Sequence, residues 1–452
     1  MNAPKPQSES RRWILPAALI GVLLLIWVGD RAMHRMAERQ VAEVLAELTS
    51  QTPHEGGLHL VWADYDSSTG EVDYLLRYGT DWDMPGTAHV KTRGILSILG
   101  VVASIQGEKS LSPEVRAVLP DFATDHWLDY ALEIHWRGAH QLHAAGAPYQ
   151  GVFLSDSGIR QGQLAWRAWN VTLELASDGS GQMAASFPRI WIKQDAGDRV
   201  DSLLEGLEIF LKAPDIRDIE GLLGEGELAF SRWSFADLSE NLRLDQFRLS
   251  NASQLSDDRL NSSWQLTMGR FAREREREVF WDAFDLQFDS DVDFESMRRY
   301  MALDESMRVL GLIDLLRQGG RLGIEKLHVQ HDSLGRLDTS LTVQLQPNRM
   351  TPGDWPGLIQ ALAGSANFSV DRPLMQEILR AGVRTENPHL DERAVERRMQ
   401  QQWLQWSIVL PLLPITTRWD DDGFDLSMDL NAGIISVDGR RVMNFNDLAR
   451  LF

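Results

Sequence analysis

The chain predicts a mainly β, α+β fold. An N-terminal transmembrane helix leads into a large, curved antiparallel β-meander, with a few packed helices in the C-terminal half. Three observations predict it. From Leu58 onward apolar residues recur with period two, in short runs separated by polar turns, the pattern of half-buried strands joined by hairpins. Few helical patterns fall between those runs, which argues against the alternating order of a parallel sheet. A single unbroken apolar run at 13–29 sits near the start, at the short end of what spans a bilayer as a helix.

Residues 1–12 form a polar cytoplasmic tail. The run at 13–29 reads as a retained anchor, because Trp27-Val28-Gly29-Asp30-Arg31 offers no small-residue pair for signal cleavage. A buried core helix and a poorly cleaved signal are the alternatives. Lys5, Arg11 and Arg12 precede the run and Arg31, Arg35 and Arg39 follow it, close to a tie by the positive-inside rule. The short basic tail favours a cytoplasmic N-terminus and a body outside. At 30–50 an amphipathic stalk helix is expected, with Met33, Ala37, Val41, Val44 and Leu48 in one stripe. That stripe fits a dimer seam, and it equally fits a helix packed on its own domain.

The body spans 55–452 and divides into two lobes, about 55–250 and 251–452. Residues 58–78 read as a hairpin around Asp66-Ser-Ser-Thr-Gly70. Further strands follow at 128–136, two across 150–175 joined near Asp156-Ser-Gly158, then 183–193, 203–212, 225–233, 243–250 and 261–271. A helix is expected from Asp293 to Arg317, ended by Gly319-Gly320. A hairpin at 323–330 and 337–346 turns around Ser333-Leu-Gly335. The strand at 366–370 runs into a helix at 373–381, with Gly382 beyond its end. A third helix spans 391–410, with Val395, Met399, Trp403, Trp406 and Leu410 on one stripe. At the end, 424–430 alternates cleanly and Asp438-Gly439 suits a type I′ hairpin. Residues 446–452 fit a short closing helical turn.

Those features carry a resemblance. The anchor leading into a helix, the first hairpin at 58–78, Ala366-Asn-Phe-Ser-Val-Asp371 before a helix, and Gly433-Ile-Ile-Ser-Val-Asp-Gly439 through Asn446-Asp447-Leu448 to Phe452 resemble the YdgA/YihF family of Gram-negative envelope proteins. The family has no assigned function. The resemblance covers nearly the whole chain in order of elements, with the two ends its specific part. It implies an inner-membrane anchor, a periplasmic body and self-association, and it supplies no catalytic residue. The chain departs from the family at Lys91-Thr92-Arg93-Gly94-Ile95-Leu96, where a His-Gly-Pro-like motif keeps only its glycine.

Composition narrows the function. The chain has 452 residues, a net charge of −20, no cysteine and 16 tryptophans. That charge argues against a nucleic-acid backbone or an anionic headgroup surface as partner. Without cysteine there is no disulfide, thiol nucleophile or thiolate metal site. His126, His135, His140 and His143 cluster in sequence, but in a strand His140 and His143 fall on opposite faces. Asp289, Asp291 and Asp293 lack the glycine and glutamate of a calcium loop, since Phe294 and Tyr300 stand there. Asp420-Asp-Asp-Gly423 reads as a polar turn. Arg-Glu-Arg-Glu-Arg-Glu at 273–278 reads as a charge-guarded edge or loop, or as a dock for an acidic partner. No nucleophile elbow, phosphate loop or dinucleotide fingerprint occurs in the right setting. No catalytic, metal or cofactor residue is therefore assigned, and no cofactor is expected. Two functions remain: an inner-membrane-anchored periplasmic protein that binds or moves hydrophobic envelope components such as lipid, and a self-associating scaffold without a ligand groove.

Overall fold

The computed structural model describes residues 30–46, 49, 58–78, 82–92, 101–111, 113–124, 126–135, 139–155, 157–195, 199–214, 223–237, 240–273, 278–304, 307, 311, 315, 319–346, 360–387 and 389–444. The tail at 1–12, the apolar run at 13–29 and the closing turn at 446–452 lie outside them, as do 274–277 of the Arg-Glu run. Among the described residues no helix is long and apolar enough to cross a membrane. The described chain is mostly antiparallel strand with a few helices. Two compact units divide it. One comprises Met1–Phe187 with Pro214–Arg217, the other Pro188–Ala213 with Asp218–Phe452.

In the first unit, helix α1 (residues 30–46) precedes β1 (Leu58–Asp66), β2 (Glu71–Tyr78), β3 (Trp82–Thr92) and β4 (Val101–Ser110). A short helix α2 (Pro113–Val118) separates β4 from β5 (His126–His135), β6 (His140–Gly146), β7 (Tyr149–Leu154), β8 (Arg160–Trp166) and β9 (Trp169–Leu175). The ladder runs β1-β2-β3-β4-β5-β6-β9, and residues 181–186 of β10 (Gly181–Gln194) extend it. Where two strands are expected at 150–175 there are three. The chain breaks at Arg167-Ala168 because Trp166 pairs back to Tyr149 while Trp169 pairs with Gly146. Phe122, Tyr149 and Trp166 stack together beneath that break.

The stripe of α1 is packed inside this unit. Val41 and Leu45 share a core with Val72, Tyr74, Ala88, Ala103, Ile105 and Ile134 from β2 to β5. His34 Nδ1 lies 2.5 Å from Thr92 Oγ1. Of the two readings of the stripe, the intrachain contact is the one these residues make.

The second unit contains β11 (Val200–Ala213), β12 (Gly224–Ala236), β13 (Asn241–Ser256), β14 (Arg259–Met268), β15 (Phe271–Arg273), β16 (Glu278–Trp281) and β17 (Ala283–Asp293). Then come helix α3 (Phe294–Met301), β18 (Arg321–His331), β19 (Gly335–Leu345) and β20 (Leu362–Asp371). Helices α4 (Arg372–Glu386) and α5 (Glu392–Val409) follow, with a 3-10 turn at Leu410–Leu412. The chain closes with β21 (Thr416–Trp419), β22 (Gly423–Asn431), β23 (Ile434–Val437) and β24 (Arg440–Asn444). The ladder is β11-β12-β13-β14-β17-β18-β19-β20-β22-β23-β24. Two helix boundaries differ from expectation. Helix α3 closes at Met301, where the Ala302 N–H donates to the carbonyl of Arg298. Helix α4 runs through Gly382, since Val383 beyond it is buried and Arg384 reaches Glu392. The Asp438-Gly439 turn is as expected, with φ of 49° and 74°.

The best-filled core of this unit lies under α4 and α5. Leu337, Val370, Phe424 and Leu430 from the sheet meet Leu374, Met375, Leu379 and Met399 from the helices.

Candidate ligand-binding surface

The sheet of the second unit has two chemically opposite faces, set by strict register. Ile209 pairs with Leu228, Leu228 with Leu249, Leu249 with Leu266, Leu266 with Leu286, and Leu286 with Leu327. Directly opposed residues share a face, so one aliphatic row crosses β11, β12, β13, β14, β17 and β18. Two residues on in β14 and β17, and across a β-bulge in β18, Trp264, Phe288, Ile324 and Leu341 form a second row. On the other side of Leu286, Met268, Phe284, Val329, Leu337, Val370 and Phe424 form a third. Its last three members are buried under α4 and α5.

The rest of this face is not sealed. None of the six residues from Ile209 to Leu327 is buried. Trp264 is 42% exposed and Leu341 40%. Aromatic side chains crowd beside them. Phe230 stacks on Phe247 with ring centroids 4.7 Å apart, and Phe271 lies 4.8 Å from Phe280 and 4.9 Å from Trp281. The Trp281 Nε1–H is buried yet has no hydrogen-bond partner.

The opposite face is a ladder of charges and hydrogen bonds. Arg248 lies 2.7 Å from Glu227, Lys326 lies 2.6 Å from Asp285, and His328 lies 2.6 Å from Asp338. Ser369 Oγ–H donates to Asp425 at 2.6 Å. A one-residue slip would exchange the two faces, so this pairing fixes the register.

The first unit repeats the arrangement. Ile105, Leu132, Leu142, Leu173 and Met183 form a row across β4, β5, β6, β9 and β10. Helix α1 covers its Ile105 end, and Leu142, Leu173 and Met183 are half-buried. Its polar face holds a groove of about 920 Å3 whose lining includes His89, Gln106, Glu108, His126, His143 and Thr172.

The sequence-level candidates separate in space. His126 and His135 stand at opposite ends of β5. His126 lies 3.2 Å from Glu108, His135 lies 3.8 Å from Glu133, and His143 lies 3.4 Å from Thr172. His140 is opposite Ile134 on the apolar side, whereas His143 is opposite Ala131 on the polar side. Asp291 pairs with Arg259 at 2.6 Å, and Asp293 caps α3 by accepting the Ser296 N–H at 2.8 Å. Asp420 accepts the N–H groups of Asp422 and Gly423, which makes a turn, and Asp421 pairs with Arg372. Arg273 is opposite Glu278 across the β15–β16 hairpin, so the Arg-Glu run is not one strand. Among the described residues no group of three or more such side chains is placed to hold a metal.

The apolar rows are the surface that residue-by-residue reading passed over. Their signal was present as alternation in each strand, but which strands adjoin needed the register. Comparison with family models, with curated proteins and with solved structures finds no match to this chain.

Proposed function

We propose that this protein binds hydrophobic envelope components, lipid acyl chains above all, along the open apolar face of β11 to β18. The observation that carries the reading is the six-strand row from Ile209 to Leu327, continuous and unburied. The row is half-buried rather than sealed, and a contiguous apolar surface left incompletely covered is suited to an apolar ligand. Five strand spacings of ~4.8 Å give the row a length of ~24 Å, longer than the ~15 Å hydrocarbon depth of one leaflet. The row itself carries no charged side chain. The apolar run at 13–29 of the sequence and the resemblance to the YdgA/YihF family support placing this activity at a bacterial inner membrane, with the body in the periplasm. The curved, trough-like form of the sheet belongs to the same proposal. The reading requires no bond-making step and no cofactor.

The scaffold reading is the weaker one. Self-association through the helix at 30–50 would have to use a surface other than Ala37, Val41 and Leu45, which are already buried.

The test is lipid extraction of the purified full chain with mass spectrometry, beside Leu249→Asp and Leu266→Asp. Wild type is expected to carry stoichiometric lipid on this face, with each variant losing at least about tenfold in bound lipid. A charge in place of a buried acyl contact costs well over ~1.4 kcal/mol. Equal lipid on wild type and both variants, or none on wild type, would sink the reading.

A further inference from the structure

Helix α5 presents two faces of different kinds. Val395, Met399 and Leu410 point into the core. At 100° per residue, Arg393, Arg397, Leu404, Ile408 and Leu412 fall within one opposite stripe. Leu404 is 61% exposed, Ile408 59% and Leu412 78%. The helix therefore shows solvent a basic start and an aliphatic end, the end carried on through the 3-10 turn.

The basic start has a small net positive charge, four arginines (Arg380, Arg384, Arg393, Arg397) against three carboxylates (Asp391, Glu392, Glu396) around one cleft. Glu392 and Glu396 accept from Arg384 and Arg380 of α4, at 2.8 and 3.0 Å. Desolvation lowers the Arg380 pKa, but its two glutamate partners outweigh that and hold it above the ordinary arginine value. Among the described residues neither Arg393 nor Arg397 is ion-paired with a carboxylate. These arginines line a cleft of about 860 Å3 between the two helices.

We propose that this stripe seats in the surface of an anionic phospholipid leaflet. The charge pattern selects that occupant over another protein. An interfacial helix lies in the bilayer plane with its apolar face sunk ~5–10 Å, so Leu404, Ile408 and Leu412, on one stripe, reach the acyl boundary together. Arg393 and Arg397, on the same stripe, carry their guanidinium groups on long side chains that reach the headgroup level. There the arginines meet phosphodiesters while the leucines and isoleucine enter the acyl region. The whole-chain charge of −20, which argues against a broad anionic surface, is screened beyond about a Debye length of ~8 Å, so it weakens contact confined to this stripe less than contact over the whole body. The proposal does not depend on the lipid-binding sheet face.

The absence of native cysteine gives a direct test. Full chain carrying Ile408→Cys or Leu412→Cys is labelled with an environment-sensitive fluorophore and reconstituted into phosphatidylcholine bilayers with or without phosphatidylglycerol. Spin-labelled quencher lipid is placed in the host bilayer or in added vesicles. Ser333→Cys, in the exposed β18–β19 turn, is the aqueous control. Both test labels are expected to shift blue and be quenched only where phosphatidylglycerol is present, while the control stays aqueous. Arg393→Gln with Arg397→Gln should lower the inserted-to-aqueous ratio about thirtyfold, at ~1 kcal/mol per arginine. Aqueous spectra at both positions in every bilayer would overturn the proposal. So would a lipid-free blue shift, which means a second copy if it grows with protein concentration and the chain's own segment if it does not. Insertion into phosphatidylcholine alone to the same extent would overturn the role of the arginines.

Discussion

Tyr74 and Tyr130 show how single residues hold the first unit together. Tyr130 Oη–H donates to Tyr74 Oη at 2.8 Å, and the rings meet edge-on at 6.1 Å. Burial pushes both phenols above the ordinary tyrosine value, and the shared hydrogen bond raises Tyr130 further. The folded state therefore keeps protons that the unfolded chain loses above about pH 10. Their contribution is complete below that pH and declines as pH rises toward the folded values. Denaturant titrations across pH 9 to 11.5 should show stability falling more steeply in wild type than in Tyr130→Phe. Each ring also lies over a glycine of the next strand, Tyr74 over Gly86 and Tyr130 over Gly107, and a Cβ at either glycine would overlap it. Gly107→Ala should destabilise by about 1–3 kcal/mol through displacement of the ring, read as a lower denaturant midpoint with unchanged slope.

At the scale of elements, caps and register carry the structure. Asp391 caps α5 by accepting the Ala394 N–H at 2.7 Å. Asp391→Ala should cost ~1 kcal/mol, seen as faster amide exchange in the first turn of α5 with β22 unaffected. Such local signals were legible in the residues. Asp293 as a cap, the 66–70 turn and Asp438-Gly439 all followed from short-range chemistry. The end of α3 and the extension of α4 past Gly382 did not, because packing of Val383 and Arg384 outweighs the preference of glycine for helix ends. The apolar rows were half legible. Alternation marked 261–271 as a strand, but 283–293 drew no expectation, and that Leu266 meets Leu286 depends on pairing between strands that a short β15–β16 hairpin separates in sequence.

Over the whole molecule, stability and exposure are unevenly divided. The core under α4 and α5 is the largest, and Phe424 lies at its floor, 5.5 Å from Phe368 and 5.4 Å from Trp419 by ring centroids. Phe424→Ala should cost about 3–5 kcal/mol. Hydrogen exchange should report that loss in β20 and β22, with β11 to β13 much less affected. The open rows contribute far less per residue, since half-buried leucines gain only part of the ~25 cal/mol per Å2 available on full burial. A surface left that way is available to a ligand.

The order in which that core is encoded has a consequence for biogenesis. Synthesis proceeds from the N-terminus, so β18, β19 and β20 leave the ribosome before α4 and α5 exist to roof them. Until the last eighty or so residues follow (372–452), Leu337 and Val370 have no lid. A nascent chain halted near residue 371 would be a client for holdases, and a stop codon there would yield an aggregating fragment rather than a smaller working protein.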